Sequence, residues 1–350
     1  MANLKTILHI DYQIVQAPML GVTTPAMVAA VSNAGALGSL PLGGLSSDKA
    51  RELIRQTKAL TDRPFAVNLF AHAPAKEVNR GDIAIMQEFL QELCLEFNFP
   101  FEAQNPDTFQ FHYYQELIDV LLEENVPIVS STFGVLNEGI TAAFKQKGVV
   151  LIGTATSVAE AKVLEQAGAD IITVQGIEAG GHRGSFLSED TTPQVGLFSL
   201  LPQVADAVDL PLLAAGGIYD SRTVKSAFAL GAAGIQVGSM FIAADESAAS
   251  NAYKEAVLNA QDTSTVLTQA FSGRWARGIE NEFMRRMDAK GITIPYYTIQ
   301  NQLMSSIRAY AQKNNLPDFV AMWAGQSAGK SARASSRDIT TKLIRMLPPN

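Results

Sequence analysis

The chain has 350 residues, 47% apolar and 17% charged: enough for one large α/β barrel or two ordinary domains, and too apolar for a mainly disordered state. Its 27 basic and 34 acidic residues leave a net charge of −7, with no lysine or arginine run to neutralise several phosphates, which argues against nucleic acid as a partner. A single cysteine, Cys94, excludes an internal disulfide framework or a multi-cysteine metal site and is expected in the core.

At the amino terminus, Lys5, His9 and Asp11 interrupt the apolar residues and make a poor secretory signal. No apolar stretch approaches the roughly 18 to 20 residues that span a bilayer, so a soluble, cytoplasmic protein without membrane contact is expected. Short apolar, β-branched segments then begin near Ile14, Leu37, Phe65, Ile128, Val149, Ile171, Pro211 and Gly234. Helical spacing follows several of them, over Pro25 to Ala34, Asp48 to Leu60, Tyr113 to Glu124, Val158 to Ala167 and Arg222 to Leu230. The stretches from Ser157 and from Asp220 share one grammar: a polar helix start, a helix stopped by glycine, then a buried strand. Repeated βα units imply parallel strands, and eight of them close a TIM (β/α)8 barrel.

Two intervals break the rhythm. Phe70 to Val126 is too long for one crossover and carries a polar insertion with proline and aromatic residues around Phe97 to Phe111. From Asp245 to Pro295 the pattern is irregular, and helical spacing resumes at Tyr297. The expected organisation is therefore a barrel built from residues 1–244 and 296–350, with a small α+β subdomain, 245–295, inserted as a lid near the barrel mouth.

In such barrels the reacting groups sit at the carboxyl ends of strands. Those ends are Gln16-Ala-Pro-Met-Leu-Gly21, Asn68, Gln175-Gly176, Gly216-Gly217 and Gln236-Val-Gly-Ser239, a polar, glycine-rich and nearly uncharged collection. The absence of a carboxylate cluster among them argues against a divalent metal. Glycines at 216, 217 and 238 allow backbone N–H groups close to an anion, and helices starting at Asp220 and after the eighth strand are expected to point their positive ends at it. A phosphate-bearing ligand follows, tight turning being the glycines' other use. No Gly-x-Gly-x-x-Gly follows a strand, and Ala324-Gly-Gln-Ser-Ala-Gly-Lys-Ser331, which fits a relaxed phosphate-loop pattern, has no strand before it. Four glycines between Gly176 and Gly184 place His182 on tightly turned backbone at the mouth. An imidazole titrating near neutrality there can move a proton, or can simply hydrogen-bond its own loop. His9, His72 and His112 read as structural or exposed.

These segments resemble the nitronate monooxygenases. Gln16 to Gly38 is similar to that family's opening motif and Gln175 to Phe186 to its histidine motif. Leu213-Ala-Ala-Gly-Gly-Ile218 and Gln236 to Ser239 resemble its flavin phosphate motifs, and Trp323 to Ala328 its terminal one. The resemblance implies FMN at the mouth, with its phosphate at Gly216, Gly217, Gln236, Val237, Gly238 and Ser239. It further places Asn68, Gln175 and Gly180 against the ring and ribityl chain, and Ala17, Pro18 and Met19 beside the isoalloxazine. It implies oxidation of alkyl nitronates, notably propionate 3-nitronate, with molecular oxygen to carbonyl compounds and nitrite. His182 would then bind the anion or take a proton from a neutral nitroalkane, and Arg183 would be an exposed loop charge. Many relatives carry a second histidine where this chain has Thr132, which bears on substrate range. Two alternatives stay open: an FMN-dependent enoyl-acyl-carrier-protein reductase using NAD(P)H, and a flavin-binding sensor or carrier without turnover. The oligomeric state is left open.

Overall fold

Eight stretches of alternating β-branched and small residues pair side by side as parallel strands. The structure, a computed structural model, describes residues 3–73, 79–188 and 193–349. The barrel strands are β1 (Ile14–Gln16), β2 (Gly38–Pro41), β3 (Phe65–Phe70), β4 (Ile128–Thr132), β5 (Val150–Ala155), β6 (Ile171–Gln175), β8 (Leu212–Ala215) and β9 (Gly234–Val237). Each begins within one residue of its expected start. They run in the order β1-β9-β8-β6-β5-β4-β3-β2. The ring closes where Val15 meets Leu37, with Gln16 N–H donating to Leu37 O and Leu37 N–H to Ile14 O, both at 2.9 Å. This is the TIM barrel that the βα repeats imply.

Period-two alternation sorts each strand into an outer and an inner set. Val15, Leu37, Ala66, Ile128, Ile152, Ile171 and Leu213 cluster with Leu4 and Leu8 of the helix Leu4–Leu8. That short helix, capped by Asn3, thus buries two leucines against the amino-terminal layer of the barrel and leaves the opposite mouth for ligands. The outer set, including Ile14, Ile172, Leu212 and Ile235, packs against helices such as Val158–Gln166, Leu197–Ala205 and Ser221–Ala229. Each fully buried aliphatic side chain there contributes roughly 1.5–3 kcal/mol relative to exposure.

Both irregular intervals take on structure at the mouth. The first contains the helix Arg80–Glu96, after which Phe97 and Phe99 stack on Phe319 with ring centroids 4.9 and 4.6 Å away. The second contains a small antiparallel sheet of β10 (Thr265–Thr268), β11 (Ala276–Ile279) and β7 (Gly181–His182), flanked by the helices Asn251–Leu258 and Glu282–Lys290. β7 belongs to the loop after β6, so the sheet joins barrel and insertion: Ala276 pairs with His182, and Arg277 with Gly181. Among the described residues, no helix is long and apolar enough to cross a membrane. Cys94 is buried, and burial alone pushes its thiol up to about 11.

Candidate active site

Two or four residues beyond the apolar interior layer, the same alternation brings polar side chains to the strand ends. Asn68, Thr154, Thr173, Gln175 and Gln236 line a cavity of about 570 Å3, inside the roughly 300–1,000 Å3 usual for ligand and cofactor sites. All the residues singled out by sequence reach this wall: Ala17, Pro18, Met19, Asn68, Gln175, Gly180, His182, Gly216, Gly217, Gln236, Val237, Gly238 and Ser239.

At one rim the backbone turns through Gly216 and Gly217, with φ of +120° and +69°, conformations that favour glycine. Among the described residues, no backbone acceptor takes the N–H of Gly216, Gly217, Gly238 or Ser239. These donors lie on the wall of a cavity with no acceptor among the described residues, which is how an anion-binding nest is built. The expected helix contribution is corrected here. The helix Ser221–Ala229 has its first turn filled by the Asp220 carboxylate, which accepts from Arg222 N–H and Thr223 N–H, and the segment after β9 is a single 3-10 turn, Ser239–Phe241. Loop amides, not helix dipoles, supply the positive potential at this rim.

His182 lines the same cavity. Its Nε2 lies 2.8 Å from Ser272 Oγ, and rings of Trp323, Phe133 and Tyr297 surround it at 5.4, 5.8 and 5.8 Å between centroids. Phe133 reaches this position by taking a left-handed φ of +73°, rare for a bulky residue and typical of strain held at a functional site. Arg274 caps the Phe133 ring at 4.1 Å. Burial first, then the charges of Arg274 and Arg308, push the imidazole down to about 3. The expected titration near neutrality is therefore overturned: His182 is neutral at physiological pH because apolar rings and two cations surround it.

The histidine loop is tied from behind. Gln175 Nε2 donates to His182 O at 3.0 Å while Gln175 Oε1 accepts from Gly184 N–H at 2.8 Å, so the amide at the end of β6 is taken up in holding the loop. Arg183, expected as an exposed charge, is 1% exposed. Its Nη1 donates to Gly176 O at 2.6 Å and its Nη2 to Gln175 O at 3.0 Å, and burial lowers its guanidinium to about 10. The reason is local: the turn at Gly176 leaves two carbonyls facing inward, and only a forked cation reaches both. Arg277 does the same for Ile177 O at 2.9 Å. Glu160, also buried, accepts from Thr156 N–H and Phe186 N–H, each at 2.7 Å.

Sequence reading missed Ser272, Tyr297, Asn301 and Arg308. They arrive from the irregular interval and the helices after it, where no strand end announces a site; the run of polar residues at helical spacing from Tyr297 was the available signal. Ala324 to Ser331 is no nucleotide loop, yet it completes the wall. Gly325 N–H donates to Ser239 Oγ at 2.9 Å, and Gly325 packs so tightly on Gly180 that a Cβ at 180 would sit 2.4 Å from Gly325 N. Thr132, at the end of β4, accepts from Asn68 Nδ2 at 3.2 Å, and Ser130 Oγ does so at 2.9 Å. His72 packs edge-on against Tyr297 at 5.0 Å, behind the wall. Among the described residues, no group of three or more histidine, cysteine or acidic side chains could hold a metal.

Residues 2–345 match the family model described as nitronate monooxygenase. The chain belongs to the nitronate monooxygenase family. A probable nitronate monooxygenase of Staphylococcus saprophyticus is 41% identical over 323 residues, 92% of this chain and 90% of the relative. A nitroalkane oxidase structure from Streptomyces ansochromogenes superposes with a TM-score of 0.90 at 35% identity, covering 99% of this chain and 98% of that one. FabK from Thermotoga maritima is more distant, with a TM-score of 0.75 and 28% identity over 99% of this chain and 96% of that one. The chain is thus an oxidoreductase of a flavin-dependent family, with the cavity at the barrel mouth as its candidate active site.

Proposed function

We propose that the cavity holds FMN and that this chain oxidises alkyl nitronates with molecular oxygen to carbonyl compounds and nitrite. The observation that carries this reading is the pairing, in one cavity, of amides at 216, 217, 238 and 239 that have no acceptor among the described residues with a neutral, ring-enclosed imidazole at 182. The amides suit a terminal phosphate, and the cavity's volume and its Met19, Phe133 and Trp323 lining suit a flat aromatic ring. Bound there, the flavin supplies the electron transfer, and the protein supplies placement and electrostatics.

His182 and Ser272 act as a neutral pair. Ser272 Oγ also lies 3.3 Å from Arg274 O. When the serine hydroxyl donates to that carbonyl, Nε2–H donates to Ser272 and the Nδ1 lone pair is left to take the α-proton of a neutral nitroalkane. When the hydroxyl turns to Nε2, Nδ1 carries the hydrogen and can hold a nitronate oxygen. The second arrangement holds the anion on a neutral imidazole. Taking the α-proton in the first makes the ring cationic, which its burial and the charges of Arg274 and Arg308 oppose, so the site favours preformed nitronates. The rings of Phe133, Tyr297 and Trp323 keep water from the reacting atoms. Asn68, its Nδ2 held by Ser130 and Thr132, has its carbonyl oxygen left for the ligand. The segment 245–295 serves as the lid.

The test is an absorbance spectrum of the purified protein, followed by oxygen uptake with propionate 3-nitronate, with and without NADH. A flavin spectrum and uptake independent of NADH are expected. Rapid anaerobic bleaching of the flavin by NADH, with no nitronate consumed, would instead establish the enoyl reductase; a yellow protein inert to both would be a carrier.

A further inference from the structure

Two cations stand near His182, and they stand differently. Arg308 lies on the cavity wall, where a bound ligand meets it; Arg274 is not among the described lining residues. Arg274 comes from the hairpin between β10 and β11, and its Cζ sits 4.1 Å from the centroid of the Phe133 ring and 5.9 Å from that of Tyr297. Each of those rings is 5.8 Å from the imidazole. One aromatic ring therefore separates the guanidinium from His182, and its charge reaches the imidazole before it reaches a ligand.

The guanidinium is held in that place. The hairpin tip turns at Gly273, with φ +78°, so close to the segment entering the helix Tyr297–Leu303 that a Cβ at 273 would lie 2.3 Å from Pro295 O. Arg274 Nη2 donates to Ser185 O. Ser185 is fixed in turn: its Oγ lies 2.9 Å from Thr156 Oγ1, and the next amide, Phe186 N–H, donates to the buried Glu160 at 2.7 Å. The groups that face the imidazole are Ser272 and Arg274 from the hairpin, Tyr297 from the helix and Arg308 from the next helix, with His72 behind Tyr297; no carboxylate is found among the described ones.

Two kinds of substrate meet these charges unequally. A nitronate enters as an anion, takes a hydrogen bond from Nδ1–H and leaves the imidazole neutral. A neutral nitroalkane must first give up its α-proton: the C–H bond breaks, its electron pair moves into the nitro group, and the proton goes to Nδ1, making an imidazolium. Arg308, beside the ligand, favours the anion in either case. Arg274, one ring from the imidazole, opposes the imidazolium and so disfavours the neutral substrate alone. A unit charge roughly 8 Å away, at an effective dielectric near 20, shifts such an equilibrium by about 10- to 30-fold.

We propose that Arg274 is the residue that reserves this site for substrates arriving already as anions: fixed beside Phe133, its charge denies His182 the α-proton of a neutral nitroalkane, and its removal opens the site to neutral nitroalkanes. This rests on the reading of the site as nitronate-oxidising. Arg274 touches neither substrate nor reacting atoms; it sets specificity through His182.

The test compares ethyl nitronate with freshly dissolved nitroethane, by oxygen uptake of the flavin-loaded protein, in the wild type, Arg274→Met, Arg274→Gln and Arg274→Lys. The ratio of kcat/KM for nitronate over nitroethane is expected to fall by about 10-fold in Arg274→Met and in Arg274→Gln, the latter keeping a donor for Ser185 O without the charge. Arg274→Lys, which keeps the charge, should stay near the wild type. Proton removal is also read without oxidation, as anaerobic exchange of the nitroethane α-hydrogens into D2O followed by NMR. Exchange should be faster in both uncharged variants, with its midpoint on acidification moved to higher pH, and the gain should vanish when His182→Gln is added. Faster exchange in the uncharged variants while no variant oxidises either compound would sink the nitronate reading and uphold Arg274. A merely structural role would lower both substrates together and leave the midpoint in place; that result, or an Arg274→Lys that behaves like Arg274→Met, overturns the proposal.

Discussion

Replacing Gly180 by alanine tests whether the wall of the site depends on direct contact between two backbones. A Cβ at 180 would lie 2.4 Å from Gly325 N and 2.5 Å from Ala324 C, against 3.4 Å for ordinary contact, so the two strands of wall must part by about 1 Å. Neither partner is a side chain that can swing away. The opening stretches two bonds that close the wall, Gln326 N–H to Glu178 O at 3.0 Å and Gly325 N–H to Ser239 Oγ at 2.9 Å, at about 1 kcal/mol each. It also displaces the turn that carries His182, and if His182 has the role proposed for it, a 1 Å misplacement costs on the order of 100-fold in rate. Gly181→Ala is the control: φ is +76° there and no atom lies within 4 Å of the added carbon, so only a left-handed strain of about 1–2 kcal/mol is expected, without movement of the wall. Oxygen uptake with a nitronate, flavin affinity by fluorescence titration, and chemical denaturation would be measured on both. Similar stability losses with a rate loss far larger at 180 are expected; equal rate losses in the two variants would refute the steric argument.

Two further outcomes follow from charge and burial. His182 is held to about 3, below its ordinary 6.5, so the unfolded chain binds a proton that the folded chain refuses between those values; stability from this group is complete above pH 6.5 and declines on acidification. By pH 5 the loss is about 1–2 kcal/mol, the lower figure allowing for water in the cavity. Denaturant midpoints of wild type and His182→Gln at pH 7 and pH 5 should therefore converge on acidification, and parallel curves would contradict the burial of a neutral imidazole. Arg183→Met removes two charge-assisted bonds to the Gln175 and Gly176 carbonyls and is expected to destabilise by about 2–4 kcal/mol, where an exposed arginine would change stability by about 0.5 at most. A shift within that smaller figure would count against the buried fork.

The barrel was legible because its signal is repeated and local: β-branched alternation at Ile171 or Gly234 needs no knowledge of the rest of the chain. Strand ends come with the fold, so Asn68, Gln175, Gly217 and Ser239 could be placed at one mouth before any coordinates. Burial of individual charges was not legible. Nothing in the run Gly181 to Gly184 reveals that Arg183 turns inward, because the carbonyls it satisfies face one another only after the turn at Gly176 forms. The proton affinity of His182 was misjudged for a similar reason, since Phe133, Tyr297 and Trp323 reach it from three separate segments. Arg308 lies in a helix that looks ordinary until its neighbour across the cavity is known.

The two-residue strand at Gly181 and His182 has a practical consequence for anyone recombining these barrels. Because His182 is registered opposite Ala276, and Arg183 N–H donates to Trp275 O at 2.8 Å, the histidine loop is stitched into the insertion as well as into the barrel. A chimera that imports another relative's insertion without its matching histidine loop should lose the alignment of the imidazole while keeping the cylinder intact, so crossover points belong outside both segments together.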